Sequence, residues 1–210
     1  MTQFALTLDI FSNLLSLAIV LGSIAVTLVL FFRDPLRKWR FFGYLPTALV
    51  ALVDPLKKTI LVVRYSPEYF KKKIPPLLPQ RGIYTNHVGG AVTEVLAKEV
   101  GLSMNHFDLK HIVALGELNV HKHQTRMKKF QYGVFGLSPL VVGKGYVGCI
   151  CVCDESVVKK AMKPGVAVEA LEFMSIEEFR ATQQLQDDEY NGKRLLYHKF
   201  LGLIEEYFKS

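Results

Sequence analysis

The sequence predicts an α+β domain of the α-β-α sandwich type, in which helices flank a mixed sheet, preceded by one transmembrane α-helix. Three observations lead to this prediction. Residues 10–32 form an apolar run without a charged side chain. Several apolar stretches of strand length follow from residue 47 onward. Segments with helical spacing of apolar residues lie among these stretches without strict strand–helix alternation, which is typical of a mixed sheet.

The apolar run is long enough to cross a bilayer. About 20 apolar residues, at about 1.5 Å each, span a hydrocarbon core about 30 Å thick. A buried helix of a soluble protein is rarely apolar on every side over such a length. A cleaved signal peptide has a basic start and small residues at its cleavage site, whereas Asp9 precedes this run and Phe31-Phe32 end it. We therefore predict an uncleaved membrane helix.

Positive charge directly after the run predicts its orientation. Four cations form this flank: Arg33, Arg37, Lys38 and Arg40. The positive-inside rule places them in the cytoplasm or on a stroma-like side, with the N-terminus on the opposite side. Trp39 and the pair Phe41-Phe42 are predicted as interfacial anchors. The predicted organisation is a non-cytoplasmic N-terminus at residues 1–9, a transmembrane helix at 10–32, a basic juxtamembrane linker at 33–43 and a folded domain at 44–210.

The net charge of +7 is concentrated next to the predicted membrane helix. Residues 33–81 contain eleven Lys and Arg against three Asp and Glu, whereas residues 82–210 contain fifteen of each. Near anionic lipid each such cation gains about 1 kcal/mol. We therefore expect contact with a membrane surface and no binding of nucleic acid. The lysines at 71–73 share this role, reach towards phosphates, or belong to a solvated loop.

Three cysteines alternate along a predicted strand: Cys149, Cys151 and Cys153. Alternate strand residues point to one face, and neighbours on a straight strand do not form disulfides. A zinc site would need a fourth ligand. We expect buried thiols that pack as small apolar groups.

Local patterns predict the remaining elements. Strands at 47–53 and 59–64 form a hairpin, and further strands are predicted near 111–121, 130–142, 145–153 and 167–174. Helices are predicted near 87–100, 155–162 and 190–208, and residues 175–179 are predicted to open a further helix. Asn86 is the predicted N-cap of the first of these helices and Gly101 its C-terminal stop, while Ser175 and Glu178 form a capping box.

The segment that follows Leu78-Pro79 resembles the signature of the Nudix family. That signature is G-x5-E-x7-R-E-U-x-E-E-x-G-U, with U apolar, and it aligns with residues 80–102. The stretch 168–179 is similar to the family's late strand that leads into a Ser/Pro-x-Glu-Glu-Leu helix. The resemblance covers residues 44–208 and implies a Nudix-like fold for them.

The resemblance also implies where metal ligands should lie. In the family, glutamates at i, i+3 and i+4 of the box helix hold divalent cations that activate water and neutralise a diphosphate. The corresponding residues are Val95, Lys98 and Glu99, so Glu99 is the one catalytic carboxylate retained. Glu94 replaces the signature arginine and lies about 140° from Glu99 around an ideal helix. Gln80 and Asn86 replace two further signature residues. The box is therefore degenerate, and Glu99, Glu94 and Glu117 are weak metal candidates.

A second polar group lies on the predicted strand that ends near residue 121. His121 and His123 alternate with Glu117 on one face, and this pattern fits either a metal pair or polar surface. The basic residues at 122–129 either contact phosphates or a partner, or form a solvated turn.

Three functional hypotheses follow. The first is a scaffold or assembly subunit, tethered to the membrane beside another membrane protein. The second is a sensor in which Lys98, Arg81 and Arg64 bind a nucleotide or phosphorylated metabolite without metal. The third is a membrane-bound Nudix hydrolase that cleaves a nucleoside-diphosphate-linked substrate with Mg²⁺ or Mn²⁺. It would recruit ligands such as Glu117, Glu155 or Glu169. No cofactor is expected under the first two hypotheses.

Overall fold

The computed structural model of the chain describes residues 3–70, 75–84, 87–119, 143–184 and 191–209. Within them, a mixed sheet lies between two layers of helices, and an apolar helix precedes it. The predicted fold class is therefore confirmed. Some predictions lie outside the described residues: the strand at 130–142, the N-cap Asn86, the histidines His121 and His123, and the basic residues at 71–73 and 122–129.

Helix α1 (Gln3–Arg33) contains the predicted membrane span. Every side chain from residue 13 to residue 30 is exposed, so this stretch is not buried against the rest of the described chain. The hydroxyls of Ser23 and Thr27 each donate to the carbonyl four residues earlier, at 2.8 Å, which satisfies them within the helix. By length and composition, Asn13–Arg33 is able to cross a membrane.

The described strands form one sheet. They are β1 (Tyr44–Asp54), β2 (Thr59–Tyr65), β3 (Gln80–Gly82), β4 (Asp108–Asn119), β5 (Gly143–Val152) and β6 (Val168–Ser175). Their order is β4-β5-β1-β2-β6, and β3 pairs with β1 off this path. The β1–β5 pair is parallel, and the other pairs within the described residues are antiparallel.

The predicted hairpin of β1 and β2 is confirmed, and it opens beyond its turn. The two strands pair at Val53–Ile60 and Asp54–Thr59. Further along, β1 pairs with β3, whereas β2 bridges to Leu77 and pairs with β6. The last residue of β2, Tyr65, pairs with Val168 of β6, and its hydroxyl contacts the helical segment that follows β3.

Helices cover both faces of the sheet. One layer contains α2 (Pro35–Phe41), α4 (Val88–Val95) and α5 (Glu155–Ala161), and the other contains α6 (Ile176–Gln184) and α7 (Asn191–Lys209). A short helix, α3 (Pro67–Phe70), follows β2. The predicted capping box at the start of α6 is confirmed, because the Ser175 N–H donates to Glu178 Oε2 at 2.7 Å and the Glu178 N–H donates to Ser175 Oγ at 3.1 Å.

Residues 33–43, predicted as a linker, contain helix α2, which packs onto the sheet. Its Leu36 and Trp39 are buried, and Trp39 is 3% exposed. The indole lies over Gly145, where an added Cβ would be 2.2 Å from the ring. Trp39 Nε1 donates to Glu117 Oε1 at 2.7 Å. The prediction that Trp39 anchors in the membrane interface is wrong, because its ring is part of the domain core.

The predicted burial is confirmed for Cys149 and Cys151. Cys149 and Cys151 are fully buried, Cys153 is half-buried, and all three are free thiols. Cys149 and Cys151 lie on the face of β5 that packs against α2, α4 and α5, and Cys153, directly after β5, packs against the same cluster. Burial raises the pKa of Cys149 to about 12.

The buried thiols predict a loss of stability at high pH. A thiol in the unfolded chain has a pKa of about 8.5, whereas the folded Cys149 keeps its proton to about pH 12. The stabilisation is therefore fully present below the unfolded pKa and declines as the pH rises towards the folded pKa. Above about pH 9, unfolded thiols are ionised. In this range we expect the melting temperature of Cys149→Ala to fall less steeply with pH than that of the wild type. Parallel curves would contradict this prediction.

Candidate functional site

The described part of residues 80–102 contains β3, helix α4 and a wider final turn. This turn is π-helical and spans Leu96–Val100. Gly101 follows with φ +75°, and the N–H groups of Gly101 and Leu102 both donate to the carbonyl of Leu96. Glycine adopts this left-handed conformation without steric cost. The predicted stop at Gly101 is confirmed, whereas the π-helical turn has no signal in the spacing of apolar residues.

The positions that correspond to metal ligands in the Nudix family do not fit a divalent cation. Val95 is 1% exposed and packs in the core. Lys98 is exposed and brings a positive charge. Hard cations prefer several oxygen ligands, and Glu99 is the one residue of the three that supplies a carboxylate. No step of a metal-dependent reaction follows from this arrangement.

Two cations converge on one oxygen of Glu94. Arg81 Nη2, on β3, donates to Glu94 Oε1 at 2.5 Å, and Lys98 Nζ donates to the same atom at 2.9 Å. The hydrogen bond from Lys98, together with that from Arg81, holds the pKa of Glu94 below its usual value. The structure therefore brings together two of the three predicted phosphate ligands, Lys98 and Arg81, and places a carboxylate between them.

Glu99 is bound to a tyrosine that sequence reasoning missed. Tyr65 Oη donates to Glu99 Oε2 at 2.8 Å. Burial, followed by the charge of Glu99, raises the pKa of Tyr65, so the phenol keeps its proton and remains a donor. The two residues are 34 positions apart. The opening of the β1–β2 hairpin brings them together, and no local motif encodes this contact.

The third predicted phosphate ligand, Arg64, pairs with a different carboxylate. Its Nε and Nη2 donate to the two oxygens of Glu172 on β6, at 2.9 and 3.0 Å. The hydrogen bond to Glu172 raises the pKa of Arg64. This two-point contact joins β2 to β6. Arg64 therefore binds a different carboxylate from the one that Arg81 and Lys98 share.

Of the other three acidic candidates, two bind other side chains and one is exposed. Glu117 accepts from Trp39, and Glu169 is exposed on β6. Glu155 is 6% exposed. Three side chains bind it: Thr59 at 2.7 Å, Lys159 at 2.6 Å and Lys57 at 3.6 Å. In the described part of the chain, no group of three or more His, Cys, Asp or Glu side chains is arranged to hold a metal ion.

The four flanking cations have different surroundings. Arg33 is exposed at the end of α1. Arg37 pairs with Asp34 at 3.3 Å and remains half exposed, as does Lys38. Arg40 is half-buried, and its Nη2 donates to the carbonyl of Ile83 at 3.0 Å. Arg40 therefore contacts the segment that follows β3, and the other three cations lie at the surface.

Comparisons with known proteins identify a distant likeness of fold. No family model and no curated protein matches the chain. Among solved structures, a Nudix hydrolase from M. smegmatis, RenU, aligns with a TM-score of 0.47 and 12% identity over 80% of this chain and 86% of that chain. The chain is similar in fold to a Nudix hydrolase.

Two further solved structures show a comparable likeness. The dihydroneopterin triphosphate pyrophosphohydrolase of E. coli aligns with a TM-score of 0.48 and 12% identity over 76% of this chain and 98% of that chain. An Ap4A hydrolase from C. elegans aligns with a TM-score of 0.45 and 8% identity over 77% of this chain and 98% of that chain. At these TM-scores and identities, no substrate, activity or site residue follows from the likeness.

Proposed function

We propose that this chain is a membrane-anchored, Nudix-like binding subunit without metal-dependent hydrolase activity, which serves as a scaffold or assembly subunit of a membrane-associated complex. One observation carries the proposal: both carboxylates of residues 80–102 are engaged by protein groups. Glu94 binds Arg81 and Lys98, and Glu99 binds Tyr65. A divalent cation at Glu94 would have to displace two cations, and their positive charges oppose its approach.

The membrane part of the proposal is supported by α1. Its exposed apolar surface over residues 13–30 has no cover within the described chain, and its length suits a hydrocarbon core about 30 Å thick. Arg33 and Arg37 follow as exposed cations, which supports a single span with the domain on the cytoplasmic or stroma-like side. The partner we propose is another protein of the same membrane, because the apolar helix α1 precedes the domain while Val95, Lys98 and Glu99, the positions aligned with the Nudix metal ligands, supply one carboxylate.

A hydrolysis assay tests this proposal. The full chain, in mild detergent, is offered ADP-ribose, NAD, dinucleotides and sugar nucleotides with Mg²⁺ or Mn²⁺. The full chain is needed because Leu36 and Trp39, which lie before β1, belong to the core. We expect no release of phosphate or nucleoside monophosphate above that of Glu99→Gln. Turnover that disappears in Glu99→Gln would overturn the proposal in favour of a hydrolase with unusual metal ligands. Co-purification of one membrane protein in stable stoichiometry would support the scaffold.

A second candidate function is phosphate sensing, and the shared oxygen of Glu94 favours it. Arg81 and Lys98 carry two positive charges against one negative charge, so a phosphate group that replaced Glu94 would meet both cations. The ligand would then be a nucleotide or phosphorylated metabolite bound without metal.

The sensing hypothesis predicts that Glu94→Gln binds phosphorylated ligands more tightly than the wild type, because the competing carboxylate is gone. Thermal shift with the same nucleotide panel, without metal, measures this, since a ligand that binds the folded state raises the melting temperature. Arg81→Gln should abolish the shift. The matched control is Glu205→Gln, which removes a carboxylate paired with Arg180 between α6 and α7. No shift for either the wild type or Glu94→Gln would exclude sensing at this site.

A further inference from the structure

The end of α1 and the outer side of α2 form a continuous surface of aromatic and basic side chains. We define this junction surface by four phenylalanines and three cations: Phe31, Phe32, Phe41, Phe42, Arg33, Arg37 and Lys38. From it we infer that the domain is held in one fixed orientation against an anionic bilayer. The inference rests on the membrane anchoring proposed above, and it adds the contact surface and the fixed orientation of the domain.

The phenylalanines join the two helices. The Phe31 and Phe32 rings, at the end of α1, lie 6.2 and 5.5 Å from the Phe41 ring, and Phe32 stacks at 6.0 Å on Phe42. Phe41 and Phe42 remain 40% and 50% exposed. Large rings left open next to a membrane span are suited to the boundary between headgroups and acyl chains, where aromatic side chains concentrate.

The charge of the junction surface complements anionic lipid. Arg33, Arg37 and Lys38 are exposed, and Asp34 is the one carboxylate within residues 33–42. Asp34 pairs with Arg37 at 3.3 Å and also caps α2, because its Oδ1 accepts the Leu36 N–H at 2.9 Å. Arg33 and Lys38 leave a net positive surface, although Glu117 Oε1 lies 3.8 Å from Lys38 Nζ. The position directly beyond a span is where such charge acts on headgroups.

The opposite side of α2 is fixed to the domain at three places. Trp39 packs on Gly145 of β5 and donates to Glu117 of β4. Arg40 donates to the carbonyl of Ile83, directly after β3. These contacts lie on different elements, so the domain is not free to rotate about α2.

The connection from α2 to β1 is also short. Phe42 and Gly43 are the two residues between the helix and the strand. Gly43 has φ +80°, a conformation that glycine adopts readily, and its N–H donates to the carbonyl of Arg40 at 3.2 Å. Because α2 is seated on the domain and its outer side faces the bilayer, the orientation of the domain follows from that of α2.

Distance measurements in nanodiscs test the inference. A donor dye is placed at Leu56→Cys, in the turn after β1, where the side chain is 95% exposed. This turn lies at the end of β1 that is far from α2, about 35 Å along the strand. The acceptor is a headgroup-labelled lipid. For the full chain in nanodiscs with phosphatidylserine, we expect one narrow donor–acceptor distance distribution. The chain without the added cysteine serves as the labelling control.

Two variants probe the two chemistries of the junction surface. One variant combines Phe41→Ser with Phe42→Ser, and the other combines Arg33→Gln, Arg37→Gln and Lys38→Gln. Each variant should broaden the donor–acceptor distance distribution. Omission of phosphatidylserine or added salt should broaden it as well, because exposed charges are screened. Leu195→Ser, an exposed apolar site on α7, is the matched control and should leave it narrow. Trp39 is the sole tryptophan, so an unchanged emission maximum shows that α2 remains seated in each variant.

The outcomes separate this inference from the proposed function. Equal widths for the wild type and both variants, or for nanodiscs with and without phosphatidylserine, would overturn the inference while the anchor stands. A chain that does not incorporate into nanodiscs at all would instead refute the anchoring on which both rest.

Discussion

Replacement of Trp39 by alanine is expected to lower the free energy of unfolding by about 3–5 kcal/mol. The indole is 3% exposed and lies against Gly145, so its removal leaves a cavity between α2 and the sheet. The change also removes the donor to Glu117, at 2.7 Å. Both losses act on the contact through which α2 joins the domain. Denaturant unfolding of the full chain in detergent, followed by far-UV circular dichroism, measures the effect.

Two control variants separate packing from hydrogen bonding at this contact. Trp39→Phe keeps an aromatic ring and loses the indole N–H, so we expect a smaller loss of about 1–3 kcal/mol. Leu195→Ala, at an exposed position on α7, should change the free energy of unfolding by about 0.5 kcal/mol or less. An ordinary point mutation lowers the free energy of unfolding by about 1 kcal/mol. A smaller loss than this for Trp39→Ala would show that α2 is not part of the folded core.

Elements with local causes could be predicted from the sequence. The β1–β2 hairpin has two apolar strands around an Asp-Pro turn, the start of α6 has a capping box, and Gly101 ends the box helix. The shared face of the alternating cysteines is also predictable, because strand periodicity alone places them on one side. Each of these features is decided by residues within a few positions of one another.

Contacts between distant segments could not be predicted in this way. Trp39 stands among cations directly after an apolar run, a pattern typical of an interfacial anchor, and only packing against β5 shows that it belongs to the core. The Tyr65–Glu99 hydrogen bond depends on the opening of the hairpin. Within the candidate site, the Glu94–Lys98 pair has helical i, i+4 spacing, whereas the position of Arg81 is set by the pairing of β3 with β1.

Gly165→Ala is expected to disturb the end of the box helix and to cost about 1–3 kcal/mol or more in stability. A Cβ at this position would lie 2.1 Å from the carbonyl oxygen of Lys98, and a backbone atom cannot rotate out of its way. The loop would have to shift, and with it the Gly165 N–H that donates to the Glu99 carbonyl at 3.1 Å. Thermal and denaturant unfolding of the full chain measure the loss.

The matched control is Gly90→Ala in helix α4, where an added Cβ meets no atom within 4 Å. An alanine within a helix is favoured over glycine by about 0.5–1 kcal/mol, so this variant should be as stable as the wild type or more so. The contrast identifies the loop at residue 165 as a support of the π-helical turn that carries Glu99. A shift of this loop should also weaken the Tyr65–Glu99 contact. Amide hydrogen exchange of the turn at 96–100 should therefore accelerate in Gly165→Ala and not in Gly90→Ala. Equal exchange and equal stability in the two variants would mean that the loop tolerates displacement and does not support the turn.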